Sequence, residues 1–412
     1  MELLRRVVVT GMAGISPIGN DWAAAGDRLR KGLSAVVRME EWTQYQGLNT
    51  LLAAPARPFD LPSDLYPRKV LRSMGPVARM AVRASELALR DAGLIGDPIL
   101  KGGLTGVAYG SSTGSPEAIG DFARMLLNKT TDAITATTYI RMMPHTTSVN
   151  IAVYFGLQGR VYTTSTACTS GSQSIGLAYE AIQSGRQTVM IAGGAEELTP
   201  TEAAVFDTLF ATSVKNDDPG KAPRPFDRDR DGLVVGEGAG TLILEEREHA
   251  LARGARIHAE VIGFGTNCDG SHVTQPSAET MSVAMRLALR DASLGGDAIG
   301  YVNAHGTATE HGDIAETAAT REVFGRRVPI SSLKSYFGHT LGACGALEAW
   351  LTIEMMRNDW VSPTLNLVNV DPRCADLDYV MEGPRKLSTE YAMTNNFAFG
   401  GINTSLIFKR AP

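Results

Sequence analysis

Leu87-Ala88-Leu89-Arg90-Asp91-Ala92-Gly93-Leu94 returns 200 positions later as Leu287-Ala288-Leu289-Arg290-Asp291-Ala292-Ser293-Leu294. Ala84, Leu87, Ala88 and Asp91 fall on one face of a helix, and Ala284, Leu287, Ala288 and Asp291 match them. Each copy leads through a turn to a short apolar strand. The first is Gly106-Val107-Ala108-Tyr109, followed by Gly110-Ser111-Ser112-Thr113-Gly114. The second is Ile299-Gly300-Tyr301-Val302, followed by Asn303-Ala304-His305-Gly306-Thr307.

Two further segments extend the match. Cys168-Thr169-Ser170-Gly171 pairs with His339-Thr340-Leu341-Gly342, each opening a helix with glycine three positions on. Val189-Met190-Ile191-Ala192-Gly193-Gly194 pairs with Asn396-Phe397-Ala398-Phe399-Gly400-Gly401. One such match is within reach of chance, but three in the same order argue for duplication. The expected organisation is two α/β halves, 1–255 and 256–412, related by a pseudo-twofold axis. That axis would bring Cys168, His305 and His339 towards one pocket.

Composition removes several functional classes. At 412 residues, 44% hydrophobic and 20% charged, the chain is an ordinary folded protein rather than a disordered one. A net charge of −5 supplies no basic field for nucleic acid. Cys168, Cys268, Cys344 and Cys374 form no CxxC pair, and the seven histidines form no HExxH pattern. Neither a disulfide framework nor a zinc site is expected. The opening run Val7-Val8-Val9-Thr10-Gly11 is too short for a signal peptide or membrane span and reads as a buried strand. A cytoplasmic location, away from any membrane, is the expectation.

Cys168 follows a β-branched run, Val161 to Thr166, and precedes Ile175, Ala178, Tyr179 and Ile182 at helical spacing. A thiol at such a junction faces free N–H groups and the positive end of a helix dipole, which favour thiolate. The alternative is a buried structural cysteine. His305 and His339, each flanked by small residues at turns, favour the nucleophile. Two imidazole donors aimed at one oxygen stabilise charge on a thioester carbonyl or an enolate. No Asp or Asn triad partner is visible, so acyl transfer with carbon–carbon bond formation fits better than peptide hydrolysis.

Lys334 and Glu316 read either as a buried ion pair or as two solvated charges. Asn395-Asn396-Phe397-Ala398-Phe399-Gly400-Gly401-Ile402-Asn403 reads on spacing alone as a core strand with a tight turn, although its aromatics could also gate a pocket.

Together these segments resemble the β-ketoacyl-acyl-carrier-protein synthases of types I and II, members of the thiolase-like fold with its layered αβαβα arrangement. The resemblance also draws on Arg224-Pro225-Phe226-Asp227, Asp231-Gly232 and Gly236-Glu237-Gly238-Ala239-Gly240. It implies Cys168 as acyl acceptor and His305 and His339 as supports for malonyl decarboxylation. It implies Lys334 and Glu316 as a supporting charged pair, and Phe399 as a gate whose N–H shares an oxyanion hole with that of Cys168. Thr307 and Thr309 match positions that bind the phosphopantetheine arm. No metal or other cofactor is implied.

Departures from the family pattern at Thr113, Leu233 and Ala398 point to the acyl substrate, with an aryl-polyene subgroup as one reading. The implied partner is acyl carrier protein, an acidic protein, with Arg68, Lys69, Arg72 and Lys215 as the candidate docking patch. A homodimer is expected, with a heterodimer of two synthases as the variant. The rival readings are a non-catalytic chain-length-determining subunit, which Cys168 opposes, and a CoA-dependent thiolase-like enzyme. The latter needs a second catalytic cysteine, and Cys374 lacks the glycine context for it.

Overall fold

The repeated helices span Pro76–Asp91 and Ala278–Asp291 in a computed structural model that describes residues 4–411. The repeated aspartate has the same local task in both. Asp91 accepts from the Met12 N–H at 3.1 Å, and Asp291 accepts from the Phe264 N–H at 2.9 Å. Each helix end is thereby tied to the first strand of its own half. The repeated alanines are contact points. A Cβ on Gly11 would stand 2.2 Å from the Ala88 carbonyl oxygen, and one on Gly263 would stand 2.5 Å from that of Ala288. Helix and strand touch at backbone distance in both places.

The strand order repeats as well. Outward from the centre, the first half runs Val7–Ile15, Gly238–Glu246, Val189–Glu196, Thr105–Gly110 and Val161–Thr164. The second runs Ala259–Cys268, Ile402–Arg410, Tyr391–Phe397, Tyr301–Asn303 and Pro329–Ser331, with Asp378–Tyr379 added at the edge. In both halves the outer strands pair in parallel, and the strands nearer the centre join antiparallel. The two sets meet where Val7–Val9 pairs with Ala259–Val261, so hydrogen bonding runs through eleven strands.

Helices Ser170–Gln183 and Cys344–Arg357 pack between the two sets of strands. Every residue from Cys344 to Met356 is buried, as expected for a helix that is apolar nearly all round. The two helices cross at glycines. A Cβ on Gly171 would stand 2.9 Å from Ala346 N, and one on Gly345 would stand 2.7 Å from Ser172 N. Helices Pro76–Asp91, Ala278–Asp291 and Glu310–Phe324 cover the outer faces, completing five layers. Among the described residues, no helix is long and apolar enough to cross a membrane.

The structure corrects two of the pairings expected from sequence. Tight turns Ala167–Thr169 and Leu341–Ala343 each lead straight into a central helix, and Ala167 and Leu341 share positive φ, +50° and +45°. Cys168 is therefore equivalent to Gly342, not to His339, which lies three residues earlier. Similarly, Gly193 and Gly194 lie within strand Val189–Glu196, whereas Gly400 and Gly401 form a turn after strand Tyr391–Phe397. Glycine spacing aligned the wrong residues because glycine serves different purposes at these sites.

Candidate active site

The Cys168 turn is conformationally expensive. Positive φ at a residue with a side chain costs roughly 1–3 kcal/mol, and such strain concentrates at functional positions. The thiol is buried, and the backbone N–H groups of Phe399 and of Cys168 itself point at it. Burial pushes its pKa up to about 11, only partly opposed by Lys334 and these two donors. The resting group is thus a thiol, contrary to the thiolate expected from the helix terminus alone. Desolvation outweighs the dipole at this depth.

His305 and His339 complete the cluster. One ring nitrogen of each and Cys168 Sγ lie within 4.8 Å of one another, and the two rings stand edge-to-face with centroids 5.1 Å apart. Burial lowers both imidazole pKa values well below the usual range, and the Lys334 charge adds to it. Both rings are therefore neutral at physiological pH. His305 Nδ1 lies 3.2 Å from Lys334 Nζ, and His339 Nδ1 accepts from the Leu341 N–H at 3.3 Å. With Nδ1 accepting in each ring, the proton resides on Nε2. Among the described residues, His339 Nε2 has no hydrogen-bond partner. The same tautomers bear on metal binding. A cysteine and two histidines at this spacing could serve as three ligands, but both rings turn N–H rather than a lone pair to the cavity, and the Lys334 charge adjoins them.

Lys334 is fully buried, and its partner is Glu348 rather than Glu316. Burial disfavours the ammonium, but Glu348 outweighs it and holds the Lys334 pKa above its ordinary value. Glu316 instead accepts the backbone N–H groups of His305 and Gly306, both at 2.7 Å. It shapes the loop that carries the histidine. Burial pushes Glu316 up to about 8 against these two donors. Glu348 was missed in the sequence. Its signal is a lone carboxylate in Cys344-Gly345-Ala346-Leu347-Glu348-Ala349, an otherwise small and apolar run. Asp313 was missed too. It accepts the N–H groups of Phe226 and Ala308 and so ties the Arg224–Asp227 motif to the loop holding Thr307.

The cluster opens into a cavity of about 480 Å³ lined by Cys168, both histidines, Glu316, Thr307 and Thr309. The two threonine hydroxyls lie 2.9 Å apart. Leu233, Ala398 and Phe399 also line it. Segment 395–403 is a strand end and tight turn, as spacing suggested, and Phe399 on that turn packs against Phe206 with ring centroids 5.3 Å apart. Phe210, at 89% exposure, gives the mouth an apolar rim.

Other expected residues lie elsewhere. Thr113 does not line this cavity; it is half-buried beside the 116–128 helix. Arg68, Lys69 and Arg72 are exposed, and among the described residues none of them makes an ion pair. Lys215 is committed to Asp231 at 3.1 Å and to the Asp229 carbonyl at 2.8 Å, which weakens it as a docking cation. Cys374 is buried away from the cavity.

A buried thiol facing two N–H donors on one side and two imidazole N–H donors on the other defines an acyl-transferring condensing enzyme on a duplicated α/β scaffold. Residues 4–250 match the beta-ketoacyl synthase N-terminal domain, and residues 258–368 match the C-terminal domain. The chain belongs to the β-ketoacyl synthase family. It is 41% identical to 3-oxoacyl-[acyl-carrier-protein] synthase 2 of Vibrio cholerae over 98% of this chain and 99% of that protein. A crystal structure of a beta-ketoacyl synthase from Burkholderia phymatum superposes with a TM-score of 0.98 at 59% identity, covering 99% and 100% of the two chains. A type II polyketide ketosynthase, AntDE, in complex with its acyl-carrier protein AntF superposes at 0.89 with 30% identity, covering 99% and 100%.

Proposed function

We propose that the chain is a β-ketoacyl-acyl-carrier-protein synthase in which Cys168 holds the growing acyl group. The observation that carries this reading is the convergence of Cys168, His305 and His339 within 4.8 Å, with a proton on each Nε2. In the first step Cys168 attacks an acyl thioester of the carrier. The acyl–sulfur bond to phosphopantetheine breaks, and the proton lost by Cys168 ends on the departing thiol. A malonyl thioester then enters past Thr307 and Thr309 and loses CO2. The electron pair of the broken carbon–carbon bond passes to an enolate, whose oxygen accepts from His305 and His339. The enolate carbon attacks the acyl-Cys168 carbonyl, and the N–H groups of Cys168 and Phe399 receive the oxyanion. Collapse releases a ketoacyl thioester two carbons longer and expels Cys168 as thiolate, which takes one proton from solvent to return to the thiol. Substrates arrive on phosphopantetheine, and neither metal nor redox cofactor takes part.

Leu233 and Ala398 at the cavity set acyl preference. The repeated strand order supports a division into halves 1–255 and 256–412. A homodimer is supported by the open edge strand Val161–Thr164, with Val161 46% exposed, and by the exposed Leu126 and Leu127 on helix Pro116–Asn128. Thr113 reaches an acyl chain only through such an interface. Arg68, Lys69 and Arg72 suit an acidic carrier, and the free cysteines suit the cytoplasm.

Incubation with carrier thioesters followed by mass spectrometry tests the central claim. An acyl adduct on Cys168, discharged by malonyl carrier, is expected, and no adduct with any carrier thioester overturns it. Reversal to Arg68→Glu and Lys69→Glu raises the carrier KM with kcat retained; unchanged kinetics removes the docking patch.

A further inference from the structure

Asn396 and Cys344 lie behind the reacting groups, both fully buried. The Asn396 amide nitrogen donates to Glu348 Oε2 at 2.7 Å. It also stands 3.4 Å from His305 Nδ1 and 3.7 Å from Cys344 Sγ. Cys344 Sγ in turn donates to the Cys168 carbonyl at 3.1 Å. Asn396 Oδ1 has no hydrogen-bond partner among the described residues and faces Gly345, where a Cβ would stand 2.6 Å away. A side chain at Gly345 would thus displace the amide. An amide carries two hydrogens. Glu348 takes one, and the other lies between the ring nitrogen of His305 and the sulfur of Cys344. A thiol has one hydrogen, and Cys344 spends it on the nucleophile's own main chain.

We propose that Asn396 and Cys344 are positioning residues that couple the His305 ring to the Cys168 turn. This rests on the condensation reading, because the coupling matters only where both groups meet one substrate. Lys334 and Asn396 approach His305 Nδ1 together and keep the Nε2 proton directed at the cavity. Cys344 restrains Cys168 on its carbonyl side, while the positive φ of Ala167 restrains it on the other. Neither residue touches a reacting atom, and both act through neutral donors, so they add no charge beside the buried thiol.

The test separates the two half-reactions in Cys344→Ala, Cys344→Ser, Asn396→Ala and the double Cys344→Ala/Asn396→Ala protein. Acylation of Cys168 and decarboxylation of malonyl carrier are timed independently, with unfolding midpoints alongside. Cys344→Ala is expected to slow acylation about tenfold at unchanged KM, and Cys344→Ser, which keeps a donor, to recover most of that rate. Asn396→Ala is expected to slow decarboxylation about tenfold. It should also move the acid limb of that rate to higher pH, since neutral His305 loses a donor while Lys334, His339, Glu348, Glu316 and Cys168 still surround it. Each single change should also slow the other half-reaction to a smaller extent, and within each half-reaction the double variant should lose less than the product of the two single losses, because both break one chain of contacts. Wild-type rates in Cys344→Ala or in Asn396→Ala, or independent losses with an unmoved pH profile, overturn the proposal. An active wild type with indifferent variants defeats this coupling alone, whereas a wild type that never acylates defeats the condensation reading beneath it.

Discussion

The turns at Cys168 and at Gly342 are the same piece of architecture put to opposite uses. Both follow a residue at positive φ, and both start a buried central helix. At Cys168 the side chain faces a cavity. At Gly342 a Cβ would stand 2.7 Å from Glu196 Oε2 and 2.9 Å from Ser112 N, so no side chain fits. The Gly342 N–H donates to Glu196 at 3.0 Å instead. One half supplies the buried thiol, the nucleophile of the proposed reaction. The other half gives up that position to packing and supplies both histidines and Lys334 from neighbouring turns. Duplication thus provides two equivalent frames, and chemistry arises where their side chains cease to be equivalent.

The sharpest way to test that asymmetry is Cys168→Ala. It should lower condensation by at least about 10⁴-fold, measured as ketoacyl product formed per turnover time. Retained condensation would return the nucleophile's role to another residue. Next comes Lys334→Ala, which leaves Glu348 buried without its counter-charge. A loss of about 3–5 kcal/mol in unfolding free energy is expected from denaturant titration, and Lys334→Met with Glu348→Gln together should recover part of it. His305→Ala and His339→Ala should each cost about 10²–10³-fold in malonyl decarboxylation, with less effect on Cys168 acylation.

The raised thiol pKa gives a pH test. A group held at about 11 is mostly protonated at neutral pH, so alkylation of Cys168 by iodoacetamide should quicken about tenfold per pH unit from 8 to 10. A plateau below pH 8 would mean that the dipole and Lys334 overcome burial after all. The smallest effects test symmetry itself. Asp91→Ala and Asp291→Ala each remove one helix-to-strand bond and should cost about 1–3 kcal/mol apiece, with Asp91 the larger because it also meets His258 Nε2 at 2.8 Å. A larger cost at Asp291 would mean that the two frames bear load differently.

Much of this asymmetry was legible in the sequence. The Leu87–Leu94 repeat carried the duplication because its alanines and aspartate make the same contacts in both halves. Cys168, His305 and His339 were legible because small residues isolate them at turns. The register of the central turns was not, since Gly171 and Gly342 look alike in sequence yet one relieves a helix crossing and the other a carboxylate. Glu348 escaped notice because a single acid on a helix usually faces water, and only burial of the whole helix turns it inward. The fate of Lys215 depended on Asp231, sixteen residues away and brought close by a loop that spacing does not describe.

The crossing at Gly171 and Gly345 carries one more consequence. Each glycine makes room for the other helix's main chain, so the gap between the nucleophile's helix and its counterpart is set by bare backbone. That contact works as a gauge. Substitutions around the cavity mouth can retune which chain is accepted without touching it, whereas one added methyl at either glycine would change the spacing on which every substrate depends. Substrate choice is free to drift along the rim of this protein, and the distance across its centre is not.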